Sequence, residues 1–410
     1  MAEKKGFFEK MAEFFFVIYL TSVYLFNTNS EMVRYSNMIF IPFAGFCVLY
    51  ILQRKSVTLN KEILLVYVCF TWIFASYTWA LNQRTALTNI KTVWQIFIMF
   101  FLIYNLFAGK KYAHEFFLKS LFFAGIVLIL SSIRAYGITG ALNQLNSTHQ
   151  VRLGDEVGQV NVFGTQHSMT FIVAFYYLLY KNKHKMFLLC VMALSFLYAM
   201  ASGSRKALLM VVMGMLLLVF KKYGIRRVYK IIFVTAVLLV VFSMAIQLPF
   251  FSTVNKRMEG LVSSLTGGEG DGSSETRFNM IKDGWEVFKD RILTGYGANN
   301  YLWATGYGKY AHNNFIEILV DFGIIGFWIY YSIYLKAFKN LSKIKTDEGK
   351  AIFCVFMVKF FMEMAMVSYS SKITWIMMAF FLMKSPDNEN SIEGETTYDC
   401  IAEKIEKSDS

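Results

Sequence analysis

The sequence predicts an all-α polytopic membrane protein with about twelve transmembrane helices and a long, partly helical extracytoplasmic loop. Three observations lead there. The 410 residues are 56% hydrophobic, with mean hydropathy +0.43, above the roughly 45–50% apolar content of ordinary soluble chains. Apolar runs near the roughly 20 residues that span a hydrocarbon core recur along the chain. The short loops between them alternate between strongly basic and those with only one or two basic residues, as positive-inside topology requires.

In order, the apolar runs occupy 12–28, 36–52, 62–81, 92–108, 115–136, 163–180, 186–201, 207–220, 229–249, 313–335, 350–368 and 371–384. The first follows Lys4, Lys5 and Lys10 and has no small-residue cleavage site after it, so it reads as a retained anchor rather than a signal peptide. With a cytoplasmic amino terminus, the inner loops carry Arg54, Lys55 and Lys61; Lys110, Lys111 and Lys119; Lys181, Lys183 and Lys185; Lys221, Lys222, Arg226, Arg227 and Lys230; and Lys336, Lys339, Lys343 and Lys345. The outer segments 29–35, 82–91, 202–206 and 369–372 hold one or two basic residues each. The chain thus divides into spans 1–9 over 1–249, a long outer loop over 250–311, and spans 10–12 over 312–384. An acidic, polar tail over 385–410 is expected to be disordered in the cytoplasm.

The net charge of +13 is mostly topological, because the inner loops hold most of it beside an anionic leaflet, and it does not argue for nucleic acid. Cys47, Cys69, Cys190 and Cys354 fall in spans and Cys400 in the tail, so no disulfide framework is implied.

Two outer segments, 137–162 and 250–311, are longer than a turn requires, and function concentrates in such loops. The second contains a Gly/Ser/acidic linker from Gly267 to Ser274. After it, Phe278, Ile281, Trp285 and Phe288 at spacings of three, four and three predict an amphipathic helix lying against the bundle mouth. Gly295-Tyr296-Gly297, Asn299, Asn300 and an aromatic stretch to Tyr310 then lead to His312 and Asn313 at the start of the tenth span.

Inner lysines have a topological explanation, so the informative cations are the outward ones: Arg152, Arg205, Lys206 and Arg277. A guanidinium fork near headgroup level matches phosphate oxygens bidentately. The alternative is snorkelling towards lipid headgroups. His312 titrates in the range where it can take a proton from a hydroxyl nucleophile, the alternative being an interfacial structural histidine.

Glu317 and Asp321 share one face of the tenth span, and the eleventh carries Lys359 and Glu363. The expectation is a buried ion-pair lock between these helices, with a proton or ion pathway as the alternative. Glu269 and Asp271 sit within the Gly-rich linker rather than a cation loop, and no outer spacing suits zinc, so the expected mechanism uses neither metal nor cofactor.

His312-Asn313, nine residues, then Gly323 and Gly326 resembles the pattern H-[N/S/Q]-x9-G-x-x-[G/T/Y] of the O-antigen ligase and O-antigen (Wzy-type) polymerase superfamily. Thr276-Arg277-Phe278, with Trp285, Phe288 and Leu293-Thr294-Gly295-Tyr296-Gly297, is similar to that family's approach to the histidine. Ser204-Arg205-Lys206-Ala207-Leu208-Leu209 resembles its R-x3-L segment.

The resemblance implies an inverting glycosyltransferase in the bacterial cytoplasmic membrane. It would take a glycan linked through pyrophosphate to a polyprenyl lipid and transfer it to an acceptor hydroxyl at the outer face. Arg205, Arg277 and Arg152 would hold the pyrophosphate, with Lys206 and Asn313 in support, and His312 would deprotonate or orient the acceptor. A flippase and a chain-length regulator are the implied partners. A Lys- and Ile-rich, proline-poor composition fits an AT-rich genome and favours a capsule or exopolysaccharide repeat-unit polymerase over an O-antigen or protein ligase. The rival from another class is a polysaccharide flippase or other transporter, for which paired halves and midplane helix breaks are the usual signature.

Overall fold

The structure is a computed structural model that describes residues 5–26, 31–146, 153–154, 159–224, 229 and 272–384. Thirteen α-helices and no strand occur among the described residues. They are α1 (Phe7–Phe26), α2 (Val33–Arg54), α3 (Lys61–Ala75), α4 (Gln83–Phe107), α5 (Ala113–Asn146), α6 (Val160–Tyr176), α7 (Lys185–Ala201), α8 (Arg205–Tyr223), α9 (Gly272–Asp290), the short α10 (Tyr301–Ala304), α11 (Asn314–Ser342), α12 (Asp347–Met362) and α13 (Lys372–Leu382). The polypeptide starts several of them with side-chain caps: Asn60, Asn82, Asn313 and Thr346 each accept a backbone N–H of the first turn.

Five helical stretches, Val33–Arg54, Lys61–Trp79, Gln83–Phe107, Ala113–Leu145 and Asn314–Ser342, are long and apolar enough to cross a membrane. Lys185–Ala201 and Lys372–Leu382 are apolar but shorter. The count of twelve spans goes beyond this. The helix that holds the first expected span, α1, carries Glu9, Lys10 and Glu13 in its first turns, and α8 carries basic residues at both ends. The ninth, 229–249, lies outside the described residues save Tyr229, as do most of the Gly267–Ser274 linker, Arg152 and the tail. Large apolar side chains project outward along the bundle, among them Ile41 at 69% exposure and Met186 at 80%. Such a surface is expected of a protein bathed in lipid.

Within the bundle α1 packs on α2 and α5, α6 on α7 and α8, α8 on α12, and α11 on α3, α9 and α13. Phe16, Phe43, Phe107 and Phe380 meet in its buried centre.

Three expectations change in detail. The outer segment expected to leave its span at 137 remains helical to Asn146, but Gly137 (φ 67°) interrupts the helix at that point. The tenth span is likewise broken within, at Gly323 (φ 67°). The amphipathic helix forms as α9, with the expected face rotated. Ile281 and Phe288 of the predicted stripe pack inward and are joined by Met280 and Gly284 against Tyr301 and Ile316, whereas Phe278 and Trp285 are 69% and 47% exposed. Gly284 decides this, because a Cβ there would lie 2.5 Å from Ile316, and the close approach draws its own face onto α11.

Candidate functional site

The site is built on the break in α11. A left-handed glycine at 323 removes the helical bonds that would run from the N–H groups of 324 and 325 to the carbonyls of 320 and 321, leaving four polar backbone groups at membrane depth. The turn and loop at 292–297 take all four. Tyr296 N donates to Val320 O (2.8 Å) and Gly297 N to Asp321 O (2.7 Å); Ile324 N donates to Ile292 O (2.7 Å) and Ile325 N to Leu293 O (3.4 Å). The contact is so close that a Cβ on Gly323 would lie 2.2 Å from Leu293 O, and one on Gly295 2.5 Å from Val320 O. Gly326 lets Trp72 reach in and donate its indole N–H to Phe322 O (3.2 Å). The spaced glycines of the two motifs are therefore the two sides of one docking joint.

Asp321 completes the joint. Its carboxylate accepts the backbone N–H groups of Asn299, Asn300 and Tyr301 at 2.7–2.9 Å and the Tyr369 hydroxyl at 3.0 Å. Asn300 Oδ1 accepts Asn82 N, and Ser76 Oγ accepts Ala298 N, so the loop is also pinned to the turn between α3 and α4. Leaving one such buried donor unmet costs roughly 1–3 kcal/mol, which makes the loop part of the bundle rather than an appendage.

His312 follows from this frame. Glu317 Oε2 accepts Ala311 N (2.6 Å) on one side of it. On the other, Asn313 caps α11 through Phe315 N and Ile316 N. Asn314 is buried and held by Glu363 Oε2 (2.5 Å) and by Ser368 N, which donates to its Oδ1 (2.9 Å). Between these fixed points His312 adopts a left-handed backbone (φ 57°), a conformation for which histidine is enriched among non-glycine residues. Its ring lies 4.3 Å from that of Tyr310, whose hydroxyl accepts a hydrogen bond from Gln159 at the start of α6.

His312 lines a cavity of about 320 Å³ together with Lys206, Lys359, Gln159, Asn161 and a methionine-rich wall. Burial, then the nearby charges of Arg277, Lys206 and Lys309, hold the imidazole down at about 4, so it is neutral and can accept a proton at physiological pH. The turn 201–204 packs against α6 at Gly164, and this sets Lys206 at the mouth of α8, where its ammonium donates to Ala365 O. A helix start with cations beside it favours an anion.

The predicted site residues are thus brought together in part. Lys206 and His312 share the cavity, and the Arg277 charge bears on His312 from the first turns of α9. Arg205, half-buried beside Lys206, is outside the cavity lining, and Arg152 is outside the described residues. Asn313 acts as a helix cap. The expected ion-pair lock is replaced: among the described residues no ion pair joins Glu317, Asp321, Lys359 and Glu363, and the three carboxylates accept backbone, amide and hydroxyl donors instead. Burial favours this because each carboxylate gains short, directed bonds that a long lysine would supply only at a cost in side-chain order. Sequence reasoning missed Lys359 as a cavity cation and Asn314 as an anchor. Their only sequence signal is polarity inside an apolar run.

A sequence model of the O-antigen ligase family matches residues 190–331. That stretch contains Lys206, Arg277, His312, Asp321 and Gly323. A comparison with functionally curated proteins finds no match.

Proposed function

We propose that this chain, which carries an O-antigen ligase domain over residues 190–331, is a membrane glycosyltransferase that polymerises oligosaccharide repeat units linked through pyrophosphate to a polyprenyl lipid. The reaction takes place at the outer face of the cytoplasmic membrane, with both termini in the cytoplasm and about twelve spans. The observation that carries the reading is the convergence of neutral His312 with cationic Lys206 on one cavity, inside the matched domain.

In the proposed step the acceptor hydroxyl gives its proton to His312 while its oxygen attacks the anomeric carbon from the face opposite the diphosphate. The bond from that carbon to the phosphate oxygen breaks with inversion. The lipid diphosphate leaves as an anion, stabilised by Arg277, Arg205, Arg152 and Lys206 in the way preorganised charge stabilises any developing oxyanion. An imidazole held near 4 is a weak base in the empty site. The negative charge of a bound diphosphate raises it again, so proton acceptance strengthens when the donor arrives. The reading requires no metal, because Glu317, Asp321 and Glu363 are committed to protein donors.

A ligase that makes one transfer to a lipid or protein acceptor is the second reading, favoured by the description of the matched family. Product length decides between them. Purified protein in liposomes, given lipid-linked repeat units alone, is expected to give a ladder of lengthening products, and EDTA is expected to leave it unchanged. His312→Ala is expected to slow transfer on the order of 100- to 10,000-fold. A single transfer product would favour the ligase. Polymer of normal length from correctly inserted His312→Ala protein would overturn the reading.

A further inference from the structure

The cavity holds a second cation, this one buried, whose nearest counter-charge, Glu363, acts on it only through space, with no hydrogen bond or ion pair between them among the described residues. Lys359 lies in the last turn of α12, is 7% exposed and lines the same cavity as His312 and Lys206. Among the described residues it makes no hydrogen bond or ion pair. Glu363, one turn further on, is already taken by Asn314 Nδ2 and Ser368 Oγ, both at 2.5 Å. An ammonium desolvated without a bonded partner is costly. Its cost is offset when an anion enters the cavity.

The position of Lys359 says which part of an anion it meets. The Lys206 charge bears on His312, where sugar chemistry would take place, whereas the charges that act on His312 do not include Lys359, which stands near Glu363; Met362, Met366 and Met377 line the cavity that both lysines share. Methionine walls are flexible and polarisable and adapt to irregular hydrocarbon. We infer that Lys206 and Lys359 form a two-cation clamp on the diphosphate of a lipid-linked substrate, with Lys206 on the phosphate joined to the sugar and Lys359 on the phosphate joined to the lipid. This rests on the lipid-diphosphate reading above and adds a binding residue to it. Two lysines, one acting on His312 and one not, select for two phosphates and for the orientation in which the sugar-bearing phosphate faces His312.

The test is binding, measured without transfer. Full-length protein in nanodiscs is titrated with farnesyl diphosphate, farnesyl monophosphate and glucuronate, comparing wild type with Lys359→Met and Lys359→Arg. Loss of one charge-assisted contact predicts that Lys359→Met binds farnesyl diphosphate on the order of 10-fold more weakly. Farnesyl monophosphate should be affected less, and Lys359→Arg should stay close to wild type. Lys359→Met removes a buried charge, so its melting temperature should hold or rise. If that protein does not accumulate, Lys359→Gln against Lys359→Arg makes the same comparison. Wild-type and Lys359→Met affinities that agree for farnesyl diphosphate would overturn the clamp and leave the proposed function standing. A loss confined to glucuronate would move the anion from the lipid to the glycan and overturn the assignment. Failure of wild type to bind any isoprenoid diphosphate would instead overturn the proposed function.

Discussion

The two ends of the bundle handle charge in opposite ways. At the end away from His312, acids meet bases: Lys110 pairs with Glu9 (2.6 Å), Lys5 with Glu13 (2.7 Å), Lys181 with Glu348 (2.5 Å), and Lys336 and Lys384 both approach buried Glu62 (3.2 and 3.6 Å). At the His312 end the buried carboxylates turn to neutral donors. Asp321 takes three backbone N–H groups, Glu317 takes Ala311 N, and Glu363 takes Asn314 and Ser368. Lys206 and Lys359 line the cavity. One end pairs its acids with lysines, and the other commits its buried acids to neutral donors and gathers two lysines on one cavity. The difference shows that acids near an anion site can organise the backbone without cancelling the field the ligand needs.

Substitutions break this comparison by amounts that fall in order. Gly323→Ala should be the most damaging to stability, since the new Cβ meets Leu293 O at 2.2 Å and alanine disfavours φ 67°. A loss of about 3 kcal/mol or more is expected from strain together with undocking of 292–297. It would be read as a lower melting temperature in detergent with activity lost in parallel. Asp321→Ala strips the acceptor from three backbone donors and should cost roughly 2–4 kcal/mol, releasing the 299–301 loop to proteolysis. Lys181→Ala at the opposite end removes an exposed ion pair. It should change stability by less than about 1 kcal/mol and leave transfer unaltered. Equal losses from Asp321→Ala and Lys181→Ala would erase the contrast between the two ends.

Much of the helix content was legible because apolar runs and Lys/Arg alternation report it directly. Residue periodicity also found the helix inside the long loop and set Ile281 and Phe288 inward. It could not centre the inward face, because Gly284 carries no hydrophobic signal although its missing side chain decides the packing. In the site, His312 and Lys206 stood out by residue type and position. Asp321 and Glu317 were read as partners for Lys359, because spacing reveals a shared face but not the backbone donors that a broken helix brings to it. Gly323 was visible as a motif glycine, yet its work lies in a joint with residues 292–297, some thirty positions earlier in the chain.

The titration of His312 probes the positive field around the cavity most directly. Its folded value near 4 lies below the ordinary 6.5, so the unfolded chain takes up the proton first, and stability contributed by neutral His312 erodes as pH falls from about 6.5 towards 4. Imidazole nitrogen NMR on selectively labelled protein, with a His312→Asn control for assignment, reads the same midpoint residue by residue. The account predicts a midpoint near 4 in the empty protein and a clear upward move when farnesyl diphosphate is added. A midpoint already near 6.5, or one that does not respond to the diphosphate, would contradict it.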